Sequence, residues 1–281
     1  MRYRKALILL LLLLCIPAIA NDNGFMFIQI ADPQLGFSEK DKNVTQEVKN
    51  FEKAVKHINQ LQPAFVVISG DLVNRKHDAE QINAFWKVAK KIRPEIPLFL
   101  VSGNHDLAPA TESDVQSYRK MFGTDYYSFT YGGSTFLVLD SSVIHYTEGD
   151  QVIRKAQRGW FESQLAEARK NNADHIFVLT HHPWFINNPD EVDANDNIPL
   201  AERKDYLSLM STYGVDYALA GHLHMEVFGQ YGKLSLITTG PLSKSFTRTP
   251  VGFRVFKVYK DKVEHEYYPL DKVPEHIEVN K

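Results

Sequence analysis

Phe65-Val66-Val67-Ile68-Ser69-Gly70-Asp71 is an unbroken apolar run that stops on a glycine and a carboxylate. A strand buried on both faces reads this way, because a sheet covered by helices on each side leaves no face for polar residues. Upstream, Val44, Val48, Phe51, Val55, Ile58 and Leu61 recur at helical spacing. Before them Phe25-Met26-Phe27-Ile28-Gln29-Ile30 is a second apolar run, ending at Ala31-Asp32. Strand, helix and strand in succession point to a largely parallel sheet.

The same rhythm continues downstream. Ile82, Phe85, Trp86, Ala89 and Ile92 mark a helix, and Pro97 to Val101 a third strand ending at Ser102-Gly103-Asn104-His105-Asp106. Thr111 with Asp114 has the spacing of a helix N-cap and its partner. Two strands, 126–131 and 135–139, flank Gly132-Gly133, which is a hairpin signal. A helix is expected from about Gln157 to Arg169, then a strand from Ile176 to Leu179 ending at Thr180-His181-His182-Pro183. The polar stretch from Asn187 to Pro199 reads as a loop of the length that often carries function. A helix from Leu200 to Tyr213 and a strand from Val215 to Ala220 lead into Gly221-His222-Leu223-His224. Four further strands (226–231, 234–239, 253–259 and 263–268) complete the chain, and the hairpins imply added antiparallel strands.

The first twenty residues read as a signal peptide. Arg2, Arg4 and Lys5 precede an apolar run from Ala6 to Pro17, and Ala18-Ile19-Ala20 supplies small residues for cleavage after Ala20. The run is shorter than the roughly 20 apolar residues a spanning helix needs. Cleavage takes the formal charge from −2 to −5 and removes Cys15, the only cysteine. Leu14 stands where a small residue would precede a lipidated cysteine. The expected mature protein, residues 21–281, is a single exported domain without disulfides, periplasmic or extracellular. A near-balanced charge offers no basic face for nucleic acid. With 44% hydrophobic and 23% charged residues, the chain is an ordinary globular one, with no repeats and no membrane span after cleavage.

In open α/β sheets the ligand crevice lies beyond the carboxyl ends of the strands. Five strand ends would bring Asp32, Asp71, Asn104, His181 and His222/His224 to one rim. Singly, each is ordinary: Asp32 fits a turn, Gly70-Asp71 is a common turn pair, and histidine pairs are usually solvated or satisfied in a core. Their joint placement is what points to chemistry. Asp, Asn, Gln and His are ligands for divalent metals of the Mn, Fe, Zn or Mg kind. Without cysteine, a closed structural zinc site is disfavoured. Two adjacent ions would stabilise both the attacking and leaving oxygens of a displacement at phosphorus and make hydroxide available near neutral pH. In an extended Gly221–His224 segment the two imidazoles would face the same way, and Gly221 would let the backbone approach closely.

The blocks Asp32-Pro33-Gln34, Gly70-Asp71, Gly103-Asn104-His105-Asp106, His181-His182-Pro183 and Gly221-His222-Leu223-His224 resemble the calcineurin-like metallophosphoesterase superfamily. Its pattern runs D-x-H, G-D, G-N-H-[DE], H-x-P, G-H-x-H, in that order. The resemblance implies a four-layer α/β/β/α sandwich of two mixed sheets flanked by helices. It also implies one metal held by Asp32, Gln34, Asp71 and His224. A second would be held by Asp71, Asn104, His181 and His222, with Asp71 bridging. His105 would contact the phosphate and protonate the leaving group, and Asp106 would orient His105.

Gln34 departs from the family's histidine. It is shared with a small Asp-Pro-Gln subgroup described as protein serine/threonine phosphatases, which includes the animal calcineurin-like phosphoesterase domain-containing phosphatase. An amide oxygen in that place implies a looser first site or a preference for Mn or Mg. The expected activity is hydrolysis of small phosphomonoesters, with phosphodiesterase action as the near alternative and non-catalytic phosphate binding as the distant one. Arg203, Lys204, His145, Lys244 and Arg248 are candidate substrate contacts, set against the bland reading of solvated surface charge.

Overall fold

The computed structural model describes residues 24–146 and 149–279. The expected signal peptide with its cleavage point, and Cys15, lie outside the described residues. Among the described residues, eleven strands form two sheets. The first, in the order β11-β10-β1-β2-β3, contains β1 (Phe25–Ile30), β2 (Phe65–Ser69), β3 (Leu98–Val101), β10 (Gly252–Val258) and β11 (Val263–Pro269). The second runs β4-β5-β6-β7-β9-β8, from β4 (Tyr127–Tyr131), β5 (Ser134–Val138), β6 (Ile176–Leu179), β7 (Tyr217–Ala220), β8 (Val227–Tyr231) and β9 (Leu234–Thr238). Within the first sheet β1, β2 and β3 are parallel, and within the second β5, β6, β7 and β9 are parallel. The other pairings are antiparallel, so both sheets are mixed, as expected.

Alternation along each strand explains the layers. Phe27, Phe65, Val67, Phe136, Val138, Phe177, Leu179, Leu219 and Phe256 form one apolar cluster drawn from both sheets. Their neighbours in sequence, Met26, Ile28, Val66, Ile68, Leu137 and Val178, belong to a second cluster with helical residues. These include Phe51, Val55 and Ile58 of α1 (Thr45–Leu61), Phe85 and Val88 of α2 (Ala79–Ala89), Phe161 and Leu165 of α6 (Gln151–Lys170), and Tyr206 of α7 (Leu200–Thr212). Period-two side chains thus bury one set between the sheets and the other beneath helices. This is the four-layer sandwich.

Three elements depart from expectation. The Asn104-His105-Asp106 segment forms a short helix, α3 (Asn104–Leu107), and α5 (Ser141–His145) was not legible. The helix expected from Gln157 starts at Gln151, where Asp150 caps it by accepting from the amides of Val152 and Ile153. The Thr111–Asp114 capping box on α4 (Glu112–Phe122) forms as read. No helix among the described residues is long and apolar enough to cross a membrane.

Towards the carboxyl ends of the strands the inner layer turns from aromatic to polar. Buried Gln29 donates to Ser69 Oγ (2.7 Å) and to the Ala220 carbonyl (3.0 Å), and accepts from Thr239 Oγ1 (2.8 Å). This network ties β1, β2, β7 and the end of β9 together directly beneath the rim.

Candidate metal centre

Six strand ends meet at that rim, three from each sheet: β1, β2 and β3 from one, β5, β6 and β7 from the other. Asp32 and Gln34 follow β1, Asp71 follows β2, and Asn104 follows β3. His181 follows β6, and His222 and His224 follow β7. Asp32, Gln34, Asp71, His222 and His224 all have left-handed backbone, with φ of 49°, 37°, 48°, 72° and 52°. Such geometry costs a non-glycine residue on the order of 1–3 kcal/mol, and it persists where surrounding structure over-determines it. The reversals turn each side chain back over the sheet ends. They also replace the extended backbone expected at Gly221–His224 with a bend, from which the two rings reach separate donor groups.

The distances make two neighbouring groups of donors. His181 Nδ1 donates to the Ser69 carbonyl (2.9 Å), which leaves Nε2 facing Asn104 Oδ1 (3.0 Å), Asp71 Oδ1 (3.3 Å) and His222 Nδ1 (3.1 Å). Donor atoms of Asp71, His181 and His222 all lie within 4.8 Å of one another. In the second group, His224 Nδ1 donates to the Lys244 carbonyl (2.5 Å) and its Nε2 lies 3.6 Å from Asp32 Oδ1. The backbone amide of Gln34 donates to the Asp71 carbonyl (2.7 Å), which joins the groups. Two glycines permit the approach. A Cβ on Gly70 (φ 81°) would fall 2.5 Å from the His181 ring, and one on Gly221 would fall 2.7 Å from Asp32 Oδ2.

Two observations show that these residues fit divalent cations. Gln34 Oε1 is buried without a hydrogen-bond partner, while its Nε2 donates to Asn74 Oδ1 (3.3 Å). A buried amide oxygen left bare costs about 1–3 kcal/mol unless something electropositive meets it. Asp32 and Asp71 are buried, and among the described residues no Lys or Arg pairs with either. Burial and mutual charge also shift these groups in opposite directions. Burial lifts Asp32 to about 6 against the pull of His224 and His181. Burial opposes protonation of His181, yet the Asp71 carboxylate beside it raises that imidazole to about 9. Burial also opposes ionisation of Asp71, but the His181 imidazole outweighs it and holds the carboxyl well below its usual range. His222 moves the other way, down to about 3, through burial and the neighbouring His181.

Asp106 fixes the His105 helix through the backbone and not through the His105 ring. Its buried carboxylate accepts backbone N–H groups from Leu72 (2.9 Å), Val73 (3.2 Å) and Gly103 (2.8 Å), locking the loop after β2 to the loop after β3. Burial, with the Asp71 charge, raises it to about 7. His105 is instead held through Nδ1 by the Asn74 carbonyl (2.6 Å), and its amide donates to Asp71 Oδ1 (2.9 Å). With Nδ1–H committed, Nε2 is the nitrogen left for chemistry.

The end of β5 was missed. Asp140, Ser141 and Ser142 are buried there. Ser141 Oγ accepts the amides of His181 (3.1 Å) and His182 (3.0 Å) and lies 2.9 Å from His182 Nδ1. His182 stacks on His145 (4.5 Å) and leans on His222 (4.6 Å), so it buttresses the donor set. The rule that found the other clusters, polar residues at a strand's carboxyl end, applies equally to Leu139-Asp140-Ser141.

Of the candidate substrate contacts, Arg203 is fully buried and donates to the carbonyls of Ile198, Pro189 and Glu191, so it shapes the 187–199 loop. Lys204 pairs with Asp190 (3.1 Å). His145 Nδ1 meets the Asn197 carbonyl (3.0 Å). Lys244 and Arg248 are exposed. A concavity of about 310 Å³ lined by Trp86, Phe99, Phe122 and Tyr127 contains none of the donors.

The calcineurin-like phosphoesterase family model matches residues 25–226. The chain is 34% identical over 268 residues to a human protein named serine/threonine-protein phosphatase CPPED1, covering 89% of this chain and 85% of the relative. The rat protein of the same name is 32% identical over 265 residues with the same coverage. In fold, the chain is similar to a solved dimetal phosphatase from Danio rerio. That match has a TM-score of 0.70 and 15% identity, and covers 88% of this chain and 96% of the other.

Proposed function

The chain belongs to the calcineurin-like phosphoesterase family and is a phosphoric ester hydrolase, and from that premise we propose that it is an exported two-metal phosphomonoesterase acting on small esters. The observations that carry the two-metal reading are the buried, unpartnered Gln34 Oε1 and the buried Asp32 and Asp71, which no Lys or Arg among the described residues neutralises. Asp32, Gln34, Asp71 and His224 would hold one ion, and Asp71, Asn104, His181 and His222 the other. When bound, divalent ions supply charge neutralisation and an activated water.

The chain's own groups do the rest. The Ser69 and Lys244 carbonyls fix the tautomers of His181 and His224, so that each presents Nε2 to the centre. His105, with Nδ1 anchored on Asn74, presents Nε2 to protonate the departing alkoxide. Asp106 holds the His105 helix against the Asp71 loop and acts through position.

The relatives' name specifies phosphoserine and phosphothreonine in proteins. The signal-like N-terminus supports small extracytoplasmic esters here. The test is turnover of an aryl phosphomonoester and a bis-aryl phosphodiester by metal-stripped residues 21–281, retitrated with Mn, Zn, Fe and Mg. Metal-dependent monoester turnover that falls in Asp71→Asn is expected. Metal-independent turnover, or faster diester cleavage, would contradict the proposal.

A further inference from the structure

Resting on the phosphomonoesterase reading, we propose that Phe246 is a specificity residue, stacking on a planar ring borne directly by the ester oxygen of the substrate. Phe246 is 65% exposed, one of five large apolar side chains so placed among the described residues. Of the five, it is the one stacked on a donor of the metal centre, with its ring 4.7 Å from that of His224 at 20°. Phe37, on the loop after β1, meets both rings, at 4.9 Å from His224 and 5.6 Å from Phe246. Three rings therefore form a corner that opens to solvent at the edge of the centre.

The corner is held in place by backbone. Leu242 and Ser243 donate to the carbonyls of Ala31 and Asp32 (2.8 and 3.0 Å), and Ser245 Oγ donates to the His224 carbonyl (3.2 Å). Lys244 meanwhile accepts from His224 Nδ1. The segment that sets a ligand's tautomer thus also fixes an exposed phenyl ring one imidazole away from the metals. Phe246 lies outside both apolar core clusters. It offers a flat face to whatever extends outward from a phosphoryl group seated on the metals. On this proposal a ring attached at the ester oxygen would stack on Phe246, whereas the base of a nucleotide would sit a ribose further out.

The experiment compares wild type with Phe246→Ala, Phe246→Tyr and, as a remote exposed control, Phe228→Ala, all Mn-loaded. Phenyl phosphate, glycerol 2-phosphate and uridine 5′-phosphate are the substrates. Dissociation constants for phenylphosphonate and methylphosphonate are measured directly by calorimetry. Offset-stacked rings contribute about three- to tenfold in affinity. Phe246→Ala should raise KM for phenyl phosphate and weaken phenylphosphonate by that factor, with kcat on glycerol 2-phosphate and methylphosphonate binding unchanged. Phe246→Tyr should restore both, and Phe228→Ala should change neither. Equal losses on phenyl and alkyl compounds, or a loss confined to uridine 5′-phosphate, would overturn the role of Phe246 while leaving the phosphomonoesterase reading intact. Failure of wild type to turn over any ester would instead overturn that reading, and the two phosphonates would still decide the ring's role.

Discussion

At the residue scale, the site is built from side chains whose backbone is bent out of its ordinary range. Left-handed φ at Asp32, Gln34, Asp71, His222 and His224 is invisible in sequence, although Asp and His tolerate it better than branched residues do. Candidate donors could be picked out in sequence because chemistry restricts which residue types can serve. Their partners could not, because Asp106 and His105 are held by backbone groups that no motif encodes. His105→Ala should lower kcat by about 10²- to 10⁴-fold with bound metal unchanged, measured by steady-state kinetics beside metal analysis. Unchanged kcat would remove His105 from proton transfer. Asp140 allows a pH test away from the donors. Burial, and then the Asp125 charge, raises its carboxyl from 3.8 to about 7 in the fold. Because the folded value is the higher one, its contribution to stability is full below about pH 4 and is lost as pH rises through 7. Asp140→Asn, which can still cap α5, should flatten the fall in denaturation midpoint between pH 4 and 7. An identical slope would show that Asp140 is not responsible.

At the scale of elements, strands and long helices were legible because their periodicities are strong. Short elements were not. Ser141–His145 has too few residues to show a period, and the first turns of α6 direct Arg154 inward, where an apolar residue would be sought. Arg203 misled for the same reason: a guanidinium donating to carbonyls reads in sequence as surface charge. Those bonds hold the 187–199 loop, whose Asn195 carbonyl lies 3.1 Å from His222 Nε2. Arg203→Met should therefore raise the rate of limited proteolysis within 187–199. Cleavage at the wild-type rate would mean that Glu191, which accepts from Ile186, Asn187 and Asn197, holds the loop alone.

At the scale of the molecule, the sandwich places parallel strand ends from two sheets at one rim, so donors separated by up to 192 residues converge (Asp32 to His224). The aromatic layer between the sheets keeps those ends in register. Phe136 stacks on Phe129 (4.8 Å) and Phe177 (4.7 Å) and meets Phe27 and Phe65 edge-on. Phe136→Ala should cost about 3–5 kcal/mol in denaturant unfolding. A loss below about 1 kcal/mol, the range of volume-conserving core swaps, would mean that the layer repacks easily. In the proposed mechanism one shared carboxylate, that of Asp71, joins two metal sites. Calorimetric titration of metal-stripped residues 21–281 with Mn tests it most directly. Two equivalents in wild type, with both weakened in Asp71→Asn, is the expected result. A single equivalent, or binding indifferent to Asp71, would contradict it.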